Sequence, residues 1–137
     1  MVIMRFRLWS RRRLLTLAGL CASAVLLTGC AGLQQPEVDQ VAVAFATGDA
    51  STRCELLSAA TLSALEAHQS AACGQAIGRL APTGGEVVHT EVWGDHAQVR
   101  LADDTVFLTR THAGWRVAAA GCRPNGDAPY QCRVEGP

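Results

Sequence analysis

Residues 86–122 read EVVHTEVWGDHAQVRLADDTVFLTRTHAGWRVAAAGC, and apolar side chains recur at every second position through most of this stretch. A period of two predicts β-strands with one buried face. The strands are predicted over residues 86–93, 96–102, 105–112 and 115–122. Their links, Gly94-Asp95, Asp103-Asp104 and Ala113-Gly114, are two residues long, as in tight hairpins. The stretch therefore predicts a four-stranded antiparallel meander.

The hairpin links also predict a register for this meander. Each hairpin is taken to pair the residues that flank its link: Trp93 with His96, Ala102 with Thr105, and His112 with Trp115. The inward face is then apolar almost throughout: Val88, Val92, Val99, Leu101, Val106, Leu108, Trp115 and Val117. The outward face holds His89, Glu91, Gln98, Arg100, Thr109 and Arg116, with His89 beside Arg100 and Glu91 beside Gln98 as surface pairs. A slip of one residue would mix the two faces, which supports this assignment of faces.

Ahead of the strands, the apolar pattern changes to the helical period of 3.6. Pro36 suits the first turn of a helix, and Gly48 suits the end of one. The apolar positions between them recur at i, i+3, i+4 and i+7, namely Val38, Val41, Ala42 and Phe45. Thr52 and Glu55 have the spacing of a capping box, which predicts the start of a short second helix.

A third helix is predicted over residues 61–69, and Ser70 is expected to cap a fourth. The apolar stripe of the fourth helix is Cys73, Ala76, Ile77 and Leu80. The run Pro82-Thr83-Gly84-Gly85 separates these helices from the strands. The large apolar side chains that the helices offer to the sheet are Val41, Phe45, Leu62, Leu65, Ile77 and Leu80. The order of elements predicts an α+β domain with N-terminal helices packed on one face of the four-stranded meander.

Residues 1–29 have the parts of an export signal. Five arginines precede an uncharged run, LLTLAGLCASAVLL at 14–27. The run ends in Leu27-Thr28-Gly29-Cys30, which resembles the lipobox of bacterial lipoproteins. The resemblance implies diacylglycerol transfer to the Cys30 thiol, cleavage before Cys30 and acylation of the new amino terminus. Residues 30–35 would then be a lipidated tether, and residues 36–137 a single domain anchored outside the cytoplasm.

Two alternatives bear on this N-terminal segment. Residues 14–33 contain no charge and reach the length of a membrane-spanning helix, but Gly, Ala, Ser, Thr and Cys make them only mildly apolar. Residues 10–15, SRRRLL, also resemble a twin-arginine export motif. An ordinary signal that happens to contain three arginines fits equally well. Either export route leaves the domain on the same side of the membrane.

Four cysteines lie beyond the predicted signal and lipobox: Cys54, Cys73, Cys122 and Cys132. An even number in a small exported domain predicts two disulfides. Zinc is the alternative, but no CxxC pair and no suitably spaced histidine is present. Cys54 and Cys73 lie in helix-favouring stretches, and Cys122 and Cys132 flank a turn-rich loop. We therefore expect the local pairs Cys54–Cys73 and Cys122–Cys132.

Charge and motifs exclude several classes of function. From Cys30 onward, seven arginines and twelve acidic residues leave a formal charge of −5, which opposes nucleic-acid binding. The sequence contains no GxSxG, HExxH, Walker or dinucleotide-binding motif. No metal site and no cofactor are predicted.

Several short motifs together carry a likeness to a known fold: the lipobox, the Cys54 and Cys73 helical pair, 105–108 (TVFL), 114–117 (GWRV), and Cys122 with 129–132 (PYQC). With these motifs the chain resembles small exported lipoproteins of actinobacterial type with an NTF2-like, cystatin-like domain. Most NTF2-like proteins place a helix between strands, whereas all four strands are consecutive here. Such folds host both enzymes and binding modules.

Candidate site residues on the inward face are few. Enzymes similar to ketosteroid isomerase use an inward acid with tyrosine or carboxylic acid partners, and the predicted inward face of the sheet offers only Thr90, Arg110 and His112 as polar residues. These three could bind a ligand at the rim of a cavity. We expect a membrane-anchored, non-catalytic accessory or ligand-binding module, whose partner is an unspecified protein or small molecule. The alternative is a small NTF2-like enzyme or hydrophobic-ligand carrier with its site inside the cone.

Overall fold

The computed structural model describes residues 29–80 and 84–137. The chain divides into two units, Met1–Leu33 and Gln34–Pro137, and the second unit is the domain described below. No helix within the described residues is long and apolar enough to cross a membrane. Almost all of the predicted signal peptide lies outside the described residues.

Within residues 29–80, four helices precede the strands: α1 (Gly29–Thr47), α2 (Ala50–Leu56), α3 (Ala59–Gln69) and α4 (Cys73–Gly78). Helix α1 ends as predicted but begins at Gly29, so the expected tether at 30–35 is helical and Pro36 lies inside the helix. The tether prediction relied on proline starting a helix. The alanine, leucine and glutamines that precede Pro36 favour helix formation themselves.

Two predicted helix caps were wrong. Helix α2 is capped by Asp49, whose carboxylate accepts a hydrogen bond from the Thr52 amide at 2.8 Å. Thr52 therefore lies inside the helix rather than at its start. Ser70 ends α3 in a left-handed conformation with φ 46°, and it caps nothing in α4. The Glu66 side chain accepts the Cys73 amide instead, at 2.9 Å.

Seven strands follow: β1 (Val87–Trp93), β2 (His96–Leu101), β3 (Thr105–Thr111), β4 (Gly114–Ala120), β5 (Arg123–Asn125), β6 (Ala128–Gln131) and β7 (Val134–Glu135). The antiparallel meander β1–β4 is as predicted, but the sheet has five strands because β7 pairs with β4. Strands β5 and β6 form a separate hairpin. Strands β5–β7 are two to four residues long, too short to show a period of two.

The predicted register holds in the first hairpin, from Trp93 opposite His96 to Thr90 opposite Val99. A β-bulge then interrupts β1, so that Val87 rather than Val88 lies opposite Leu101. Val88 is 59% exposed, and its predicted inward position was wrong. The extra residue of a bulge falls out of the strand's alternation.

The next two hairpins are paired two residues away from the predicted register. Val99 lies opposite Val106 instead of Leu108, and Leu108 lies opposite Val117 instead of Ala119. The links are residues 102–103 and 112–113 rather than 103–104 and 113–114. A shift of two keeps side chains on their predicted faces, so the buried set changes little. A bulge between Phe107 and Leu108 makes the exception, since Ala119 lies opposite Phe107 and Ala120 is buried instead.

The core fills the space between the helices and the inward face of the sheet. Its large members are Val38, Phe45, Leu57, Leu65, Ile77, Val99, Leu101, Val106, Leu108, Trp115 and Val117. Val41, Leu62, Leu80 and Val92 are partly buried against them. The connection between α2 and α3 is tied to β4, since Ser58 donates its amide to the Val117 carbonyl at 2.9 Å. Thr61 donates its hydroxyl to the Ala118 carbonyl, also at 2.9 Å.

Both predicted disulfides are present. Cys54–Cys73 joins α2 to α4 across 19 residues, and Cys122–Cys132 closes the β5–β6 hairpin across 10 residues. Disulfides in a domain of this size indicate an oxidising, extracytoplasmic location.

Removing Cys54–Cys73 is expected to lower the free energy of unfolding by about 3 kcal/mol, because the cross-link restricts the unfolded chain. The measurement is urea unfolding of the Cys54→Ala/Cys73→Ala variant against wild type. Non-reducing peptide mapping provides the check on pairing. Recovery of a peptide that links the helical half to residues 122–132 would contradict the structure.

Candidate functional site

The proposed attachment residue, Cys30, is the second residue of α1. Its side chain lies outside the described part of the chain, as do Leu27 and Thr28. Lipidation at Cys30 therefore stays a prediction from the sequence.

The structure separates the three predicted ligand-binding residues. Thr90 is half-buried, and its hydroxyl donates to the Asp39 carboxylate of α1. Arg110 and His112 are exposed and line a shallow, open depression that includes Asp95. Thr90 is therefore used in attaching α1 to β1, and only Arg110 and His112 share a surface.

Between the helices and the sheet, a cavity has a volume of about 30 Å³. That is room for one or two water molecules, whereas small-molecule sites enclose roughly 300–1,000 Å³. Its lining includes Phe45, Arg53, Ile77, Asp104, Arg133 and Val134. Two polar side chains of this lining, Arg53 and Asp104, form hydrogen bonds within the fold.

Arg53 is a buried cation, 8% exposed. Its Nε donates to the Phe45 carbonyl at 3.1 Å, and its Nη2 donates to the Ala46 carbonyl at 3.3 Å. Both carbonyls lie in the last turn of α1, where backbone oxygens lack helical partners and the helix dipole favours a positive charge. Arg53 thus caps α1 from the neighbouring helix. This capping role of Arg53 was not predicted from the sequence, because the contact depends on how two helices pack.

Asp104 holds the start of the disulfide hairpin. Its Oδ1 accepts hydrogen bonds from the backbone amides of Thr105, at 2.6 Å, and Cys122, at 3.0 Å. Its Oδ2 accepts the Gly121 amide at 3.1 Å. The sequence signal was an acidic residue beside a turn, but the prediction placed Asp104 in the turn itself, where it would only have been solvated.

On the outward face of the sheet, the β5–β6 hairpin lies over the middle strands. The Tyr130 ring meets Phe107 edge to face, with centroids 5.2 Å apart. Gln98 donates to the Tyr130 hydroxyl at 3.2 Å. His89 and Arg100 are opposite each other as predicted, but the His89 ring forms its hydrogen bond along its own strand, with Glu91 at 3.0 Å. Both partners are exposed, so this pair adds little stability.

Among residues 29–80 and 84–137, no group of three His, Cys, Asp or Glu side chains is placed to hold a metal ion.

The carboxyl group of Asp49, which caps α2, has a shifted pKa. Hydrogen bonds from Thr52 lower this pKa below its ordinary value. The stabilisation that this cap gives α2 is therefore fully present at pH values above the ordinary pKa of an aspartate. It is lost as the pH falls through the lowered pKa of Asp49.

The fold and its two disulfides define a small, disulfide-stabilised α+β domain of the extracytoplasmic kind. Comparison of the chain with known protein families, with curated proteins and with solved structures finds no match.

Proposed function

We propose that this protein is a bacterial lipoprotein, anchored outside the cytoplasm through Cys30, whose domain is a non-catalytic accessory or ligand-binding module of NTF2-like, cystatin-like type. The anchor is supported by the lipobox directly behind an arginine-rich signal. The extracytoplasmic setting is supported by the two disulfides.

The single observation that carries the choice of a binding module is the packing between helices and sheet. An enzyme or lipid carrier of the cone type needs an enclosed pocket. Here Trp115, Ile77 and Leu108 occupy that space with at most 1% exposure each, and the cavity beside them has room for only one or two water molecules. Binding is therefore assigned to the outer surface of the domain.

Replacing Cys30 with serine is expected to abolish membrane attachment, because a hydroxyl does not form the thioether that carries the lipid. Fractionation of producing cells measures the effect, and the mass of the wild-type protein should show a chain that begins at acylated Cys30. The matched control is Cys21→Ser, which changes a cysteine inside the signal and should leave attachment intact. Membrane-extracted wild-type protein that still contains residues 14–27 would disprove lipobox processing.

A further inference from the structure

We propose that one end of this domain rests on the bilayer, with Trp93 in the headgroup layer and Arg110 at the same end of the sheet. The partner is the lipid surface to which Cys30 is attached. This inference rests on the proposed lipid anchor and names the contact surface that the anchor creates.

Two hairpin turns form the end in question. Strands β1 and β3 run in the same direction because each is antiparallel to β2. The β1–β2 turn at 94–95 and the β3–β4 turn at 112–113 therefore lie at the same end of the sheet. Trp93 precedes the first turn, and Arg110 lies just before the second.

The early part of helix α1 lies at this same end. The Glu37 carboxylate is 3.3 Å from the point where a Cβ at Gly114 would stand, directly after the β3–β4 turn. Farther along the helix, the Ala46 side chain is 3.0 Å from the corresponding point at Gly84, ahead of β1. Helix α1 thus runs antiparallel to β1 and β3, and the chain enters the domain at the end that carries the two turns.

The length of the connection keeps this end close to the lipid. Glu37 follows Cys30 by seven residues, which belong to helix α1 and span about 10 Å. The turn at 102–103 lies at the other end of the sheet. A seven-residue strand such as β1 is roughly 23 Å long, and this length separates the two ends. The acyl chains are therefore nearer to Trp93 than to the far turn.

The side chains at the near end suit a membrane interface. Trp93 is 48% exposed, and tryptophan favours the headgroup layer because its ring is apolar and its N–H is polar. Arg110 is exposed, and its long stem lets the guanidinium reach lipid phosphates. Asp95 and Glu37 lie at the same end and offset that charge, so the tryptophan carries the contact rather than a net positive charge.

The far end carries a similar balance of charges. Exposed Glu86 and Asp103 lie there with exposed Arg100. In the same way, Glu37 and Asp95 lie with Arg110 at the near end. Charge therefore does not distinguish the two ends, and the orientation rests on Trp93 and on the short connection.

Tryptophan fluorescence tests this orientation on the full protein. The chain has three tryptophans, and cleavage before Cys30 removes Trp9, which leaves Trp93 and the 1% exposed Trp115. Protein extracted from membranes is placed in vesicles of phosphatidylcholine and phosphatidylglycerol, with or without brominated acyl chains. We expect bromine to reduce the emission, and we expect the substitution Trp93→Phe to remove that reduction. In the matched control, Asp103→Trp is added to Trp93→Phe, and its emission should be unaffected by bromine.

The outcomes separate this inference from the proposed function. Acylated protein whose Trp93 is insensitive to bromine would overturn the orientation and leave the anchor intact. Quenching of the tryptophan at position 103 in place of Trp93 would overturn it as well. A mass that shows no acyl group on Cys30 would overturn the proposed function, and this inference with it.

Discussion

Replacing Trp115 with alanine is expected to lower the free energy of unfolding by about 3–5 kcal/mol. Trp115 is 1% exposed and is among the largest fully buried side chains of the described chain. Its removal leaves a cavity between the helices and the sheet that rigid strands do not close. Small domains have roughly 5–15 kcal/mol of stability in total, so the variant is expected to be partly unfolded at 37 °C. Urea unfolding followed by circular dichroism measures the loss.

Two controls show whether packing is the cause. The Trp115 indole nitrogen is buried and has no hydrogen-bond partner among the residues that the structure describes. Trp115→Phe should therefore cost clearly less than the alanine variant. Arg110→Ala and His112→Ala remove exposed side chains and should stay within about 0.5 kcal/mol of wild type. If Trp115→Ala and Arg110→Ala lowered the free energy of unfolding equally, the assignment of Trp115 to the core and Arg110 to the surface would be wrong.

Replacing Asp104 with alanine is expected to cost about 2–4 kcal/mol, because three amides lose a charged acceptor together. These amides belong to Thr105, Gly121 and Cys122. The loss should be local at first, so hydrogen exchange at Gly121 and Cys122 should accelerate before the core opens. Denaturant unfolding together with exchange measured residue by residue tests both parts.

Asp103→Ala is the matched control for Asp104→Ala. Asp103 is the preceding residue, carries the same side chain and is exposed, so its removal should change stability by no more than about 0.5 kcal/mol. If the two variants behave alike, the hydrogen bonds of Asp104 do not hold the disulfide hairpin.

The meander was predictable because alternation over four strands leaves one consistent assignment of faces. The link residues were not, and Asp104 shows why. It was predicted to belong to the link between β2 and β3, but its carboxylate accepts hydrogen bonds from the amides of Gly121 and Cys122, which are distant in sequence. Contacts of this kind have no signature in local spacing.

The candidate site was predictable in part for a similar reason. Alternation identified Arg110 and His112 as polar residues near the open end of the sheet, and the structure leaves both exposed. The alternation also marked Thr90 as an inward polar residue. The hydrogen-bond partner of Thr90 is Asp39 of helix α1, and the pattern of the strands alone does not predict a contact with a helix. The cap that Arg53 places on α1 was missed for the same cause.

The two edges of the five-stranded sheet have a consequence for how the molecule behaves when crowded. Strand β7 is two residues long, and β1 carries a bulge near its start and the exposed polar side chains of His89 and Glu91 along its length. Short strands, bulges and charges all hinder the addition of a strand from another chain. Copies anchored as proposed would diffuse in two dimensions at high local concentration, where edge-to-edge pairing would begin aggregation. Both edges are built in a way that keeps neighbouring copies apart.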